Sequence, residues 1–424
     1  MQSSTIAIIV LIGALILYMV PKVPLSVTAV ISMLLMGFTG CCKWSEAFAG
    51  FSNNAVLLSA SMMIIGQACV TTGLAVKLGN LLYRFVKSEK IFITMVLTIA
   101  TAMSVFINGA LTVAIMMPII DSIVLNSNGT LTRKSVYLPL GIGATIGNNV
   151  TTIGATSMIT CVALLVEAGF EEMGLFAPTA VNLPAIIVVI IVFALFGEKL
   201  QKRWYDFEEV PLVTDGSKSA AAQAEEVPAW KMWLTAAVLL GVIIAIIAGV
   251  NYGAAPLVGV VILILTGCIS DKQAYKGVSW GTIIMIAAAI GFSAGFKNSG
   301  AGEVIANFFI KIAGPLGKTG FGMCIVMFVV STLLSNLMMD NATIAIVAPI
   351  SIAIASTLGV DALPIVLCAA SGTKVGIATP MSVTPMAMVQ VPGYRFKDYL
   401  RCGGLVNIIC CVVTLLMTWI IYYM

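Results

Sequence analysis

The chain has 424 residues, 60% of them hydrophobic and 9% charged, with a formal net charge of +4. Soluble domains carry about 25% charged residues, so a soluble enzyme is excluded. Nucleic-acid binding is excluded as well, because Lys and Arg placed between long apolar runs report membrane topology rather than a basic patch.

The absence of histidine removes the commonest proton relay and metal ligand near neutral pH. Cys69, Cys161, Cys268, Cys324, Cys368, Cys410 and Cys411 lie inside apolar runs, where cysteine acts as a small hydrophobe. Cys41-Cys42 is an adjacent pair without a partner C-x-x-C elsewhere, so neither a metal centre nor a cofactor is expected.

Apolar runs at 5–20, 23–40 and 55–75 read as three membrane passes. The first lacks a basic leader and a small-residue cleavage site, so it reads as a retained helix. Residues 91–120 hold two apolar arms broken at Asn108-Gly109, a re-entrant hairpin. Residues 135–166 are apolar but interrupted by Gly147-Asn148-Asn149-Val150-Thr151-Thr152, a broken helix, and a pass follows at 181–197. A polar linker, 205–230, separates this half from the next. Passes then recur at 232–250, 256–270 and 279–297. A second hairpin at 320–357 breaks near Asp340-Asn341, and a second broken helix at 362–391 carries Ser371-Gly372-Thr373-Lys374. The last pass is 403–423. Irregular polar backbone survives at membrane depth only when buried in protein or lining a cavity. The expected fold is therefore an all-α polytopic membrane protein of ten passes plus two hairpins, lying in the lipid bilayer of a cell membrane.

With the N-terminus outside, 17 of the 22 basic residues fall in cytoplasmic segments. These include Lys77, Arg84, Lys87 and Lys90, the Arg133-Lys134 pair, and Lys218 in the linker. Lys43, Lys297, Lys311 and Lys318 fall outside, and Lys374 lies within the membrane. The positive-inside bias selects this orientation, with both termini extracytoplasmic.

The halves 1–204 and 231–424 run through the same features. Thr72-Gly73-Leu74 corresponds to Ser299-Gly300-Ala301, each followed by an amphipathic stretch, 75–87 or 302–313. Thr112-x-Ala114 leading to Pro118 corresponds to Thr343-x-Ala345 leading to Pro349, and Leu138-Pro139 to Leu363-Pro364. The number of intervening passes makes these repeats inverted, the plan of secondary transporters that hold substrate between hairpin tips and broken helices. Half-helix N-termini suit an anionic substrate and half-helix C-termini a coupling cation. No filter-like carbonyl sequence suggests a channel, which stays as the alternative from another class.

Several of these segments resemble the divalent-anion/sodium symporter family of the ion transporter superfamily. They are Ala47-Phe48-Ala49-Gly50-Phe51-Ser52-Asn53, Ala378-Thr379-Pro380, and the tail Val391-Pro392-Gly393-Tyr394-Arg395-Phe396-Lys397-Asp398-Tyr399-Leu400-Arg401. The resemblance implies a scaffold forming a homodimer, a mobile transport domain with elevator-type alternating access, di- or tricarboxylate substrates, and Na+ as coupling ion. The family's Ser-Asn-Thr tip triplets stand here as Asn108-Gly109-Ala110 and Met339-Asp340-Asn341. A same-fold carrier of a zwitterionic, inorganic or monocarboxylate solute, driven by protons or by exchange, is the alternative that Asp340 allows.

Asn108, Gly109, Asn148, Asn149, Thr151, Thr152, Asp340, Asn341, Ser371, Thr373, Lys374 and Thr379 are the candidate substrate-binding residues. Asn108, Gly109, Gly147 and Asp340 are the candidates for the coupling ion. Charged groups in the bilayer cost about 2.5–3.5 kcal/mol on insertion scales and default to function. Three readings stand for the two charges. Lys374 pairs with Asp340 and fills the place of one sodium ion; or Lys374 meets a substrate carboxylate while Asp340 binds a cation or amine; or the pair only locks hairpin to helix.

Overall fold

The computed structural model describes residues 2–20, 22–80, 88–127, 130–210, 227–380 and 382–424. Within them every extended regular element is a helix. The first half runs α1 (Ser3–Tyr18), α2 (Leu25–Phe38), α3 (Trp44–Ala47), α4 (Asn54–Thr71) and α5 (Leu74–Gly79). It continues with α6 (Glu89–Ser104), α7 (Gly109–Leu125), α8 (Arg133–Gly147), α9 (Thr156–Glu167) and α10 (Ala177–Trp204). The second half runs α11 (Ala229–Ile247), α12 (Ala254–Leu265), α13 (Asp271–Gly277), α14 (Trp280–Asn298) and α15 (Ala301–Ala313). After it come α16 (Gly320–Leu337), α17 (Asp340–Leu358), α18 (Ala362–Val375), α19 (Thr384–Met388) and α20 (Phe396–Tyr422). Seven of these helices are long and apolar enough to cross a membrane, and six more are apolar with 10–17 residues.

Every expected pass, both hairpins and both interruptions have a helical counterpart at the expected place. Helix starts are set locally: Asn53 accepts from the Ala55 amide at 2.8 Å, Thr319 from Gly322 at 3.0 Å and Asp361 from Leu363 at 3.0 Å. The arm after the second break is shorter than expected, only Thr384–Met388. Pro380, Pro385 and Pro392 remove amide donors and bias the residues before them away from helix, which leaves room for little more than one turn. Of the expected linker, residues 205–210 and 227–230 are described; 211–226, with Lys218, lie outside the described residues, as do 81–87 of the first amphipathic stretch.

Corresponding positions in the two halves make the same backbone turns. Gly73 and Gly300, which follow the C-caps of α4 and α14, have φ of 79° and 73°. A further pair, Thr39-Gly40-Cys41 after α2 and Thr266-Gly267-Cys268 after α12, repeats down to its hydrogen bonds. Each threonine hydroxyl donates back four residues, to Leu35 or Ile262, and each thiol donates to a carbonyl near the start of the preceding long helix, Ser3 or Lys231.

The helices assemble into two bundles, and each bundle draws on both halves. The frame bundle contains α1–α5 and α11–α15, with α14 packed on α2 and α4 on α12. The core bundle contains α6–α10 and α16–α20, with α6 on α8, α16 on α18, and α10 along α20. Between the bundles, α15 and α14 lie on α17, α4 and α14 on α9, and α5 on α7. The helix faces that meet here are largely apolar, with charged residues gathered at one rim. Lys297 Nζ on α14 donates across the boundary to the Ala168 carbonyl that caps α9, 3.3 Å.

Candidate functional site

Four segments far apart in sequence meet inside the core bundle. At the first hairpin tip the Asn108 side chain accepts from the Ala110 amide (2.9 Å) and caps α7. Gly109 opens that helix. A Cβ there would stand 2.5 Å from the Ala144 carbonyl, 2.8 Å from Asn148 Nδ2 and 3.1 Å from Pro385, so the tip is wedged between the first break and α19. At the second tip Asp340 opens α17, and its amide donates to the Ser382 carbonyl in the second break, 3.1 Å. Asn341 Oδ1 accepts from Thr156 Oγ1, which begins the arm after the first break, 2.7 Å. Each tip therefore touches both broken helices.

The Asp340 carboxylate forms an ion pair and hydrogen bond with the Lys374 ammonium. Both residues are about 95% buried, at 5% and 6% exposure. Asp340 sits in the first turn of α17 and Lys374 in the last turn of α18, each at the helix end whose partial charge it opposes.

The breaks sit where a G-x-x-x-G spacing lets backbones approach. A Cβ on Gly143 would meet the Leu97 carbonyl at 2.5 Å, and one on Gly147 would collide with the Thr101 carbonyl of α6. In the second half, Gly372 and Gly376 face the Phe328 carbonyl (2.5 Å) and Ser335 Oγ (2.7 Å) of α16 in the same way. Carbonyls freed at the end of α18 are taken by α16, with Thr332 Oγ1 donating to Gly372 (3.1 Å) and Ser335 Oγ to Thr373 (2.6 Å).

Three of the expected ligand-binding hydroxyls are engaged with backbone. Thr151 Oγ1 donates to Val105 (2.7 Å), Thr373 Oγ1 to Ala370 (2.8 Å) and Thr379 Oγ1 to Asn336 (3.0 Å). Thr151 and Thr379 tie the breaks to the neighbouring hairpin arms, while the Thr373 bond lies within α18. Gly147 acts through close packing. The Asn149 amide donates to the Ser371 carbonyl, 3.4 Å, linking the halves. By contrast, Asn148 Oδ1, Asn149 Oδ1, Thr152 Oγ1 and Ser157 Oγ are buried with no hydrogen-bond partner among the described residues. Leaving such an atom unpaired costs about 1–3 kcal/mol, and all four lie in or just after the first break.

Two polar residues of this layer do not stand out in the sequence: Ser157, and Asn182, a lone amide in the apolar run of α10 that reaches both halves. An isolated Asn in a membrane segment is itself the signal. Equally hidden is the way residues 205–210 are tied down. Arg133 pairs with Glu209 at 2.7 Å and donates to the Val210 carbonyl, Lys134 Nζ donates to Phe207 (3.2 Å), and Tyr394 packs edge-on against Tyr205 and Phe207. A cavity of about 380 Å³ opens between the bundles, lined by Glu46, Glu167, Lys297 and Glu303 over Pro349 and Ile352.

Paired hairpins, paired broken helices and a buried polar layer between them define a multi-pass membrane transporter. A sequence model of the citrate transporter family matches residues 14–372, and the chain belongs to that family. It is 20% identical over 403 residues to an uncharacterized transporter of Methanocaldococcus jannaschii, a match covering 95% of this chain and 90% of that one. It is 31% identical over 144 residues to a probable sodium/sulfate cotransporter of Chlamydomonas reinhardtii, and 27% identical over 165 residues to an uncharacterized transporter of Synechocystis. Those matches cover 34% and 39% of this chain, which spans only 16% and 27% of the two relatives' lengths. Among solved structures, the YdaH transporter of Alcanivorax borkumensis superposes with a TM-score of 0.61 at 14% identity, covering 99% of this chain and 98% of that one. MtrF of Neisseria gonorrhoeae gives 0.57 at 14% identity, covering 99% and 95%. At such identity the likeness carries the fold alone.

Proposed function

We propose that the protein is a secondary active transporter of small anions, with di- or tricarboxylates and sulfate as the substrate class, driven by a cation gradient. The observation that carries this reading is the convergence of both hairpin tips on both helix breaks in one buried polar layer. Half-helix ends at such a junction offer amides to an anion and carbonyls to a cation.

Among the described residues unpaired oxygens flank both breaks, Asn336 Oδ1 and Ser331 Oγ on α16 lying beside the second, so the division of labour rests on the place of Lys374. At the first break two of the unpaired oxygens are amide carbonyls that only accept. Such a set favours a bare cation, and sodium is the ion named for the Chlamydomonas relative. At the second break the chain supplies its own cation, Lys374, at the negative end of α18. One mobile cation then suffices where two breaks could hold two. Movement of the core bundle against the apolar face of the frame, as an elevator within a homodimer, is the mode of alternating access we assign, with both termini outside.

The test is uptake of labelled citrate, succinate and sulfate into proteoliposomes, in sodium and in choline. Saturable, sodium-stimulated uptake with counterflow is expected. Conductance without saturation would make the protein a channel. Uptake indifferent to sodium but driven by a proton gradient or by exchange would replace the coupling assigned here.

A further inference from the structure

Asn182, in the second turn of α10, is 3% exposed. Its Nδ2 donates to the Asn149 carbonyl at 3.1 Å and to Ser371 Oγ at 3.0 Å, while its Oδ1 accepts from Thr414 Oγ1 at 3.2 Å. The orientation of the amide is fixed by chemistry: a backbone carbonyl only accepts, so the NH2 faces Asn149 and the oxygen faces Thr414. Asn149 returns a bond from its own side chain to the Ser371 carbonyl. One side chain thus joins the first break, α18 of the other half, and α20.

Polar side chains often act as glue between membrane helices, each joining a pair. The placement of Asn182 differs, because two of its partners belong to the two opposed halves of the site. The Asn149 carbonyl is one of the groups that the break releases from α-helical bonding, and Ser371 lies three residues before Lys374. The distance between the unpaired oxygens of the first break and the ion pair at the second is bridged through this amide.

We infer that Asn182 is a positioning residue that fixes the gap between the two half-sites and so sets which size of anion is accepted. The inference rests on the transport reading above and adds its size selectivity. It requires no contact between Asn182 and the solute.

The test uses full-length protein in proteoliposomes at matched amounts of folded protein. Asn182→Asp keeps the shape and removes both donors; Asn182→Ala removes the group; Ser371→Ala removes one partner and leaves Asn182 in place. Each is expected to raise KM for the transported anion about tenfold with Vmax within about twofold. The preference among sulfate, succinate and citrate, read by competition, should flatten. Asn182→Ala combined with Ser371→Ala should add little to either change alone. If Asn182 were glue alone, the yield of folded protein would fall while KM and preference stayed at wild-type values, which would overturn the inference; Ser371→Ala gives this answer even if the Asn182 variants do not fold. A wild-type protein with no saturable uptake of any of the three anions would overturn the transport reading and this inference together. That outcome is distinguishable, because it appears before any variant is made.

Discussion

The Lys374 ammonium and the Asp340 carboxylate pair where the last turn of α18 meets the first turn of α17. Two helix dipoles therefore assist the pair, one at each end. Removing one partner of a buried pair leaves a charge uncompensated, at a cost of about 3–5 kcal/mol. Lys374→Ala and Asp340→Ala should each lower the unfolding temperature in detergent sharply. Lys374→Met combined with Asp340→Leu should recover most of the loss. A double variant whose loss equals the sum of the singles would show that the two charges do not act as a pair.

The glycines at the breaks give a second prediction. Gly147→Val and Gly376→Val drive a branched side chain into the Thr101 carbonyl of α6 and into Ser335 of α16. Overpacking of this kind costs about 1–3 kcal/mol, and here it also pushes the broken helix away from its hairpin. Both variants should fold less stably and lose uptake. The comparison is Gly404→Ala, whose added methyl meets nothing within 4 Å and should behave as wild type in thermal unfolding.

Lys297 is the third test. Its ammonium holds the Ala168 carbonyl across the boundary between the bundles. A cation at a helix C-terminus is worth about 0.3–1 kcal/mol. Lys297→Met should therefore leave global unfolding nearly unchanged while shifting the balance between arrangements of the two bundles about two- to fivefold. Maleimide labelling of a cysteine placed at Ala353, which packs on Gly302 across that boundary, would report the shift; unaltered labelling rates would show that the contact does not bias the bundles.

Fourth, Arg133 is 2% exposed and depends on Glu209 and the Val210 carbonyl. Glu209→Ala leaves the guanidinium with one partner fewer, a loss of about 1–3 kcal/mol. Limited proteolysis is expected to cut after residues 203–208 faster in this variant. Equal cleavage rates would mean that the aromatic contacts of Tyr394 alone hold the segment.

Much of the architecture was legible because lipid imposes strict patterning. Apolar runs gave the passes, and the polar interruptions at 147–152 and 371–374 gave the breaks, since backbone at that depth can leave the helix only where protein or a cavity shields it from lipid. Asp340 and Lys374 were legible for the same reason: charges in an apolar run need one another. Helix length after the second break was not, because three prolines cut a run whose hydropathy continues to Val391. Nor was the use of each hydroxyl. Thr151, Thr373 and Thr379 look like ligands in sequence, yet each bonds backbone of a segment set beside it by packing or by a turn. Asn182 is a single polar letter in a hydrophobic pass, and nothing local says that its partners lie 33, 189 and 232 residues away. The Thr-Gly-Cys pair at 39–41 and 266–268 was readable but short, and its meaning rests on two thiols reaching back to helix starts.

The interleaving of the two halves has a consequence for biogenesis. Because each bundle takes five of the described helices from each half of the chain, a nascent polypeptide that has emerged through residue 210 owns half of two unfinished bodies and the whole of neither. Its α4 awaits α12, and its α10 awaits α20, which is made after the other described helices. Fragments 1–210 and 227–424 expressed separately should be cleared by quality control, whereas both made in one cell should find each other and accumulate.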